Sequence, residues 1–275
     1  MSDHGLTLST GQVVPAVAFG TWKLDNRTAA PAVAAAIADG YRLIDTATRY
    51  HNEIGVGRGL RESGLPREDV MVTSKLRGGD QGAEQTTRAV HASLTALGVD
   101  YLDLYLVHWP LPRLDRYVES WRELIELRDQ GLIRGLGVSN FTADQIDRLV
   151  TETGVAPVLN QVELHLGWRQ DELLAQMAER GIPVQAWGAI GRGKGLLDDE
   201  RLTTVAARHQ VSPAQVALRW VWERGAGSVA KSGDQTRRRQ NLDIHGFSLT
   251  EDDHALLASF PQERIGKDPL VNEEY

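Results

Sequence analysis

Apolar, strand-like runs recur along the chain near positions 17–21, 42–45, 70–75, 102–108, 135–139, 157–163, 183–187 and 227–230, and they predict eight strands. Helical stretches lie between them, among them 29–39, 84–97, 117–130 and 171–180. The last three stop close to Gly98, Gly131 and Gly181, where a glycine can end a helix in the left-handed conformation. Capping chemistry marks two further starts. Thr142 with Gln145 three residues on makes a capping box, and Ser212 before Pro213 puts a cap ahead of a first-turn proline, in a helix that runs out at Gly225. Strand, helix and stop signal alternate in order, preceded by the short segment LTLSTGQVV with its Ser-Thr-Gly turn. Eightfold alternation of this kind favours a closed (β/α)8 barrel of the α/β class over an open doubly wound sheet. No Pro/Gly/Ser-rich linker, low-complexity block or sequence repeat interrupts it, so residues 1–275 are expected to form a single domain.

Composition narrows the function classes. A chain of 275 residues with 41% hydrophobic content can bury one substantial core, and an α/β barrel needs about this length. There is no cysteine, which excludes disulfides, thiolate metal sites and a cysteine nucleophile. The eight histidines, at 4, 51, 91, 108, 165, 209, 245 and 254, have no ligand spacing, so no metal site is expected; Glu163 with His165 more simply ends a strand. A formal charge of -7 argues against nucleic acid or an acidic membrane surface as partner, because both need a basic face. The start, MSDHGLTLST, has no basic patch followed by an apolar stretch, and no apolar run is long enough to span a membrane; a cytoplasmic protein is expected. No heptad or large apolar stripe calls for association, so a monomer is expected.

Candidate chemistry sits where the strand-like runs stop. Asp45, Tyr50, Lys75 and His108 follow successive runs, and barrel enzymes gather reactive groups at strand ends. A phenol with an ordinary pKa of about 10 protonates only a strongly basic oxyanion, so Tyr50 needs help. An ammonium at Lys75 would favour the phenolate, Asp45 would keep Lys75 charged and oriented, and His108 could donate to the same oxygen. A carbonyl held by Tyr50 and His108 is prepared for hydride attack, with the hydride coming from a cofactor. Each residue also has a plainer role: a strand-end aspartate caps a helix, a loop tyrosine packs its ring, a lysine is solvated and a histidine is a satisfied core group. Their joint placement favours chemistry. A Schiff-base lyase using Lys75 as nucleophile stays open at this point.

The segments DTATRYHNE (45–53), VTSKL (72–76), LDLYLVHWP (102–110), GVSNF (137–141) and NQVE (160–163), spread over nearly the whole chain, resemble the aldo-keto reductase superfamily. The resemblance implies a (β/α)8 barrel without a Rossmann domain, an N-terminal β-hairpin at the barrel bottom, an extra C-terminal helix, and nicotinamide-dependent reduction of aldehydes or ketones. It makes Asp45, Tyr50, Lys75 and His108 the catalytic tetrad, with Tyr50 as general acid. Ser139, Asn140 and Gln161 would bind the nicotinamide carboxamide. Trp187 would stack on the ring, and tryptophan there is similar to the bacterial 2,5-diketo-D-gluconic acid reductase branch. The glycines at 188, 191, 193 and 195 would let a loop fold over a pyrophosphate. In AKSGDQTRRRQN (230–241), Lys231, Ser232 and Arg237 would hold the 2'-phosphate of NADPH, with Gln240 and Asn241 at the adenine. NADPH is thus the expected cofactor, with NADH use open, because Asp234 departs from the neutral residue common there. It would repel a dianion or accept from a ribose hydroxyl. Arg238 and Arg239, which the motif does not require, add to the basic cluster of Lys231 and Arg237, with a solvated helix face as the competing reading.

By the same resemblance Trp22, Arg49, His51, Arg77, Trp109 and Leu111 lie on pocket loops. Arg77 replaces a tryptophan frequent in the sugar-acid reductases, and it or Arg49 could anchor a carboxylate; this favours small, polar or acidic carbonyl compounds. The competing reading has these arginines in solvent or paired with acids. A short loop, LPRLDR, and a short tail ending in VNEEY imply an open pocket. A cofactor-binding, redox-sensing subunit with little turnover, a use that relatives have, is the remaining alternative.

Overall fold

The computed structural model describes residues 5–273, so the last two residues of the VNEEY tail and His4 lie outside the described residues. A two-stranded antiparallel hairpin comes first, β1 (Gly5–Thr7) and β2 (Val13–Pro15). The chain then alternates through β3 (Val17–Gly20), α1 (Asn26–Ala38), β4 (Leu43–Asp45), α2 (Glu53–Glu62), β5 (Met71–Leu76), α3 (Ala83–Leu97), β6 (Leu102–Val107) and α4 (Tyr117–Asp129). It continues through β7 (Ile133–Ser139), α5 (Ala143–Thr153), β8 (Asn160–Glu163), α6 (Asp171–Glu179), β9 (Val184–Trp187), α7 (Glu200–His209), α8 (Pro213–Glu223), β10 (Ala226–Ala230), α9 (Gln235–Leu242) and α10 (Glu251–Ala258). Strands β3 to β10 are all parallel and close into an eight-stranded barrel, β10 pairing with β3. The helices surround it, and α10 is the extra C-terminal helix.

The hairpin plugs the end of the barrel opposite the site. Leu6, Leu8 and Val14 join Leu43, Leu104 and Val158 in one buried cluster, away from the strand ends that carry chemistry. A second, larger cluster lies between strands and helices, with Trp121, Tyr41 and Phe141 fully buried in it.

Two local features depart from the apolar pattern. Helix α1 begins at Asn26, three residues ahead of the expected start, because Asp25 and Thr28 form a reciprocal capping box. Helix α2, which the hydrophobic pattern leaves unmarked, carries Gly55, Gly57 and Gly59. A Cβ at Gly55 would lie 2.4 Å from the Asn26 carbonyl oxygen, and one at Gly57 2.0 Å from that of Leu97. These glycines lower helix propensity but let α2 press backbone to backbone between α1 and α3. That contact fixes the β4–α2 loop, which holds Tyr50.

Candidate active site

Asp45 closes β4, Lys75 is next to last in β5, and His108 follows β6 directly. A single 3-10 turn, Thr48–Tyr50, lifts Tyr50 over the rim. Lys75 is fully buried, and its Nζ donates to both Asp45 oxygens (2.7 and 2.8 Å) and to the Thr46 carbonyl (2.9 Å). All its protons are engaged. Burial pulls the ammonium below its ordinary pKa, with Asp45 working against that. The same Nζ lies 5.4 Å from the centroid of the Tyr50 ring, and the Tyr50 and His108 rings meet edge to face at 5.9 Å. Burial, then the positive charges of Lys75 and Arg49, hold His108 well below the usual imidazole range. Its Nδ1 is buried with no hydrogen-bond partner. A lone pair tolerates that better than an N–H does, which places the proton of the neutral ring on Nε2.

A polar web joins these groups to the next strands. Gln161 donates from Nε2 to Asp45 Oδ2 and to Gln185 Oε1, both at 2.8 Å. Asn140, in the left-handed region at φ 65°, donates to the His108 carbonyl and to Ser139 Oγ (3.0 Å each), and its Oδ1 accepts from Trp187 Nε1 at 2.8 Å. Ser139 Oγ donates to the Gln161 carbonyl at 2.7 Å. The amide N–H groups of Gln161 and Asn140 are thus spent within the protein. What these two side chains still offer a ligand is acceptor oxygen, which suits the NH2 of a carboxamide. Gln185, a polar residue inside the QAW strand, was not anticipated; its place in that apolar run was the available signal.

The far edge of Trp187 is held by the C-terminal segment. A Cβ on Gly266 would lie 2.2 Å from Trp187 Cη2. Glu163, paired in register with Trp187, accepts from the Ile265 N–H (2.5 Å) and the Gly266 N–H (3.0 Å), with His165 Nε2 at 3.1 Å. Burial would raise the Glu163 carboxyl, but His165 and the two backbone donors outweigh it and hold it below its ordinary value. Glu163 and His165 do end a strand, and they also latch the tail onto the rim.

These elements enclose a cavity of about 940 Å³. Asp45, Tyr50 and His108 face it, as do Ser139, Asn140, Gln161 and Trp187; Trp22, Arg49, His51 and Trp109 form its outer wall. Gly188 and Lys231 also line it, with Arg192 in the glycine loop, a residue the sequence reading passed over. Gly191 and Leu111 do not; Gly191 is covered by Leu196, and Leu111 is fully buried. Arg77 is likewise outside the lining, its Nη2 donating to Asp80 at 3.0 Å.

The remaining expected residues lie along α9 and the loop before it. Ser232 Oγ accepts from the Asp234 N–H and from Arg237 Nε, and the Arg237 side chain is 70% exposed. Asp234 is the N-cap of α9, accepting from the Arg237 N–H at 2.9 Å, which accounts for an acid at this position. Gln240 is half-buried, and Asn241 is buried. Arg238 is neither on a solvated face nor free for a phosphate: it is buried, with Nε 2.8 Å from Asp39 Oδ2 and Nη1 donating to the Gly233 carbonyl. Arg239 joins Asp39 at 3.0 Å from a more exposed position. Among the described residues no cluster of three His or acidic side chains could hold a metal, and no helix is long and apolar enough to cross a membrane.

Comparison with known proteins places this geometry. Residues 16–261 match the model of the aldo/keto reductase family. An aldo-keto reductase of Mycolicibacterium smegmatis is 43% identical over 265 residues, 96% of each chain. The 2,5-diketo-D-gluconic acid reductase B of a Corynebacterium species is 39% identical over 270 residues, 98% of each chain. Among solved structures, a Gox0644 mutant in complex with NADPH superposes with a TM-score of 0.93 at 35% identity over 99% of both chains. With the family model matched over residues 16–261 and nearly its full length in common with these relatives, the chain belongs to the aldo/keto reductase family.

Proposed function

We propose that this protein reduces an aldehyde or ketone to the alcohol with NADPH, Tyr50 giving the proton. The observation that carries this reading is the buried Lys75, with every proton bound to Asp45 or Thr46 and its charge under the Tyr50 ring. An ammonium so placed stabilises the negative charge the phenol oxygen takes on as its proton leaves. His108, neutral and protonated on Nε2, donates to the carbonyl oxygen and turns it toward Tyr50. Gln161 holds Asp45 from the other side, so the donor set is rigid before substrate arrives.

The residues fit the cofactor. Ser139, Asn140 and Gln161 take the carboxamide, Trp187 supports the ring, and Lys231, Ser232 and Arg237 take the 2'-phosphate, with Gln240 and Asn241 at the adenine. The reduced nicotinamide supplies the hydride when bound. The relative solved with NADPH, similar over 99% of its chain, supports that choice. A Schiff-base lyase needs an amine that is neutral and reachable; the bonds to Asp45 favour the charged form of Lys75, and its full burial keeps it out of reach. One barrel domain, acting as a cytoplasmic monomer, carries the whole site in this reading.

The test follows oxidation of NADPH, and then of NADH, by the purified chain across aldehydes, α-diketones and 2-oxo acids. Turnover favouring NADPH is expected. Flat traces with every carbonyl would sink the reading.

A further inference from the structure

The mouth of the cavity is positively charged in a protein whose formal charge is -7. Lys23, Arg49, Arg192, Lys231 and Lys267 line it, against one carboxylate, Asp45, which Lys75 already binds. Arg192 stands apart from the others. Its guanidinium lies 3.7 Å from the centroid of the Trp22 ring and 5.2 Å from that of Trp187, half-buried between the two indoles. Among the described residues no carboxylate or carbonyl accepts a hydrogen bond from it. Glu163, near enough to be felt electrostatically, is engaged by His165 and the Ile265 and Gly266 N–H groups. A guanidinium has five N–H donors in a planar fork, and leaving it half-desolvated without an acceptor is costly. Its backbone is also unusual. Arg192 adopts φ 52° between two glycines that are themselves left-handed, a conformation that penalises a side chain and that marks sites where the strain has a use.

We propose that Arg192 is a specificity-determining receptor for an anionic oxygen group, and that the group is a carboxylate next to the substrate's carbonyl, as in a 2-oxo acid. The proposal rests on the reductase reading above. A phosphate oxygen of the dinucleotide has the same chemistry. The substrate is favoured because Arg192 stacks on Trp22, on the outer wall of the cavity, and its charge is felt by Tyr50, the group that must touch the carbonyl oxygen. Stacking on an indole face leaves the edge of the fork, the part matched to a carboxylate, free to point at it. Arg77, the sequence candidate for this role, is paired with Asp80 instead.

The experiment uses the whole chain with NADPH and compares kcat/KM for phenylglyoxylate with that for its methyl ester, in the parent, Arg192→Gln and Arg192→Lys. Loss of one charged, bidentate contact is expected to lower the acid-to-ester ratio roughly 10- to 100-fold in Arg192→Gln, mainly through KM for the acid. Arg192→Lys should recover part of it, since an ammonium restores the charge and not the fork. Added salt should raise the parent's KM for the acid more than for the ester. A ratio within twofold of the parent overturns the proposal, as does a parent that reduces the ester and not the acid. An equal loss for acid and ester with weaker NADPH binding reassigns the guanidinium to the dinucleotide and also overturns it. A parent that reduces neither compound and no other carbonyl defeats the underlying reductase reading, which is a separate result.

Discussion

Two of the carboxylates whose side chains are buried against cations, Asp45 and Asp39, invite comparison, because only Asp45 lines the cavity. Asp45 holds Lys75 on the floor of the cavity, while Asp39 holds Arg238 and Arg239 and so ties α9 to the end of α1. Each side chain pays desolvation and is repaid by short, well-directed hydrogen bonds. The difference lies in what faces the cation. Lys75 has the Tyr50 ring above it and His108 beside it, and its charge reaches the imidazole in spite of Asp45. Arg238 faces a backbone carbonyl and the hydroxyl-bearing side of Tyr41's neighbourhood, with no cavity among its contacts. A buried ion pair therefore marks chemistry here only where a titratable group that faces the cavity adjoins it.

The largest expected effects separate the two. Tyr50→Phe removes the group that reads the field of Lys75, and turnover should fall by about 10²–10⁴, the usual contribution of a positioned acid, with the fold intact by circular dichroism. Retained turnover would end the comparison by making both pairs structural. Asp39→Ala is the converse. It leaves Arg238 buried without its partner, so urea unfolding should show a loss of about 3 kcal/mol, with kcat per folded molecule much less affected. A collapse of kcat without a loss of stability would place Asp39 in the chemistry.

How far each pair was legible in the sequence follows from its connectivity. The tetrad was readable because apolar runs stop abruptly at Asp45, Lys75 and His108, and the barrel topology gathers strand ends by itself. The eight strands were readable for the same reason, although α2 was unmarked because Gly55, Gly57 and Gly59 are placed for packing rather than propensity. Asp39 with Arg238, and Glu163 with Gly266, join residues that are far apart in the chain and sit in no local pattern. Nothing near Arg238 distinguishes a buried arginine from a solvated one. Arg77 is the instructive case, since its partner Asp80 lies only three residues on and the competing, paired reading was available.

A pH measurement sharpens the comparison further. Because burial and, after it, the field of Lys75 depress the pKa of His108, the unfolded chain takes up that proton first as the pH falls. The neutral ring's contribution to stability is complete above the ordinary imidazole value of about 6.5 and drains away below it, by up to about 1.4 kcal/mol per pH unit. The parent should therefore lose stability more steeply than His108→Gln between pH 7 and 5 in urea titrations. Parallel slopes would mean that neither burial nor the charge of Lys75 holds the imidazole neutral, and that the two pairs differ less than their surroundings suggest.

Glu163 is the intermediate case, a buried carboxylate at the cavity edge that holds main chain at Ile265 and Gly266, with Arg264 only at the limit of ion-pair distance, 4.0 Å. Gly266→Ala asks which side of the comparison it falls on. The added Cβ would meet Trp187 Cη2 at 2.2 Å and Glu163 Oε2 at 2.7 Å, so either the tail lifts off its latch or the indole tilts. The opposite edge of the indole is fixed by the hydrogen bond from Nε1 to Asn140, and a tilt about that bond moves the face on which the nicotinamide is to rest. Overpacking of this kind costs about 1–3 kcal/mol where the surroundings are rigid and less where a chain end can yield. The expected outcome is a severalfold weaker affinity for NADPH, read by titration, with a small change in unfolding midpoint. A lowered midpoint with unchanged NADPH affinity would put Glu163 with Asp39, as part of the fold; the reverse puts it with Asp45, as part of what holds the ring.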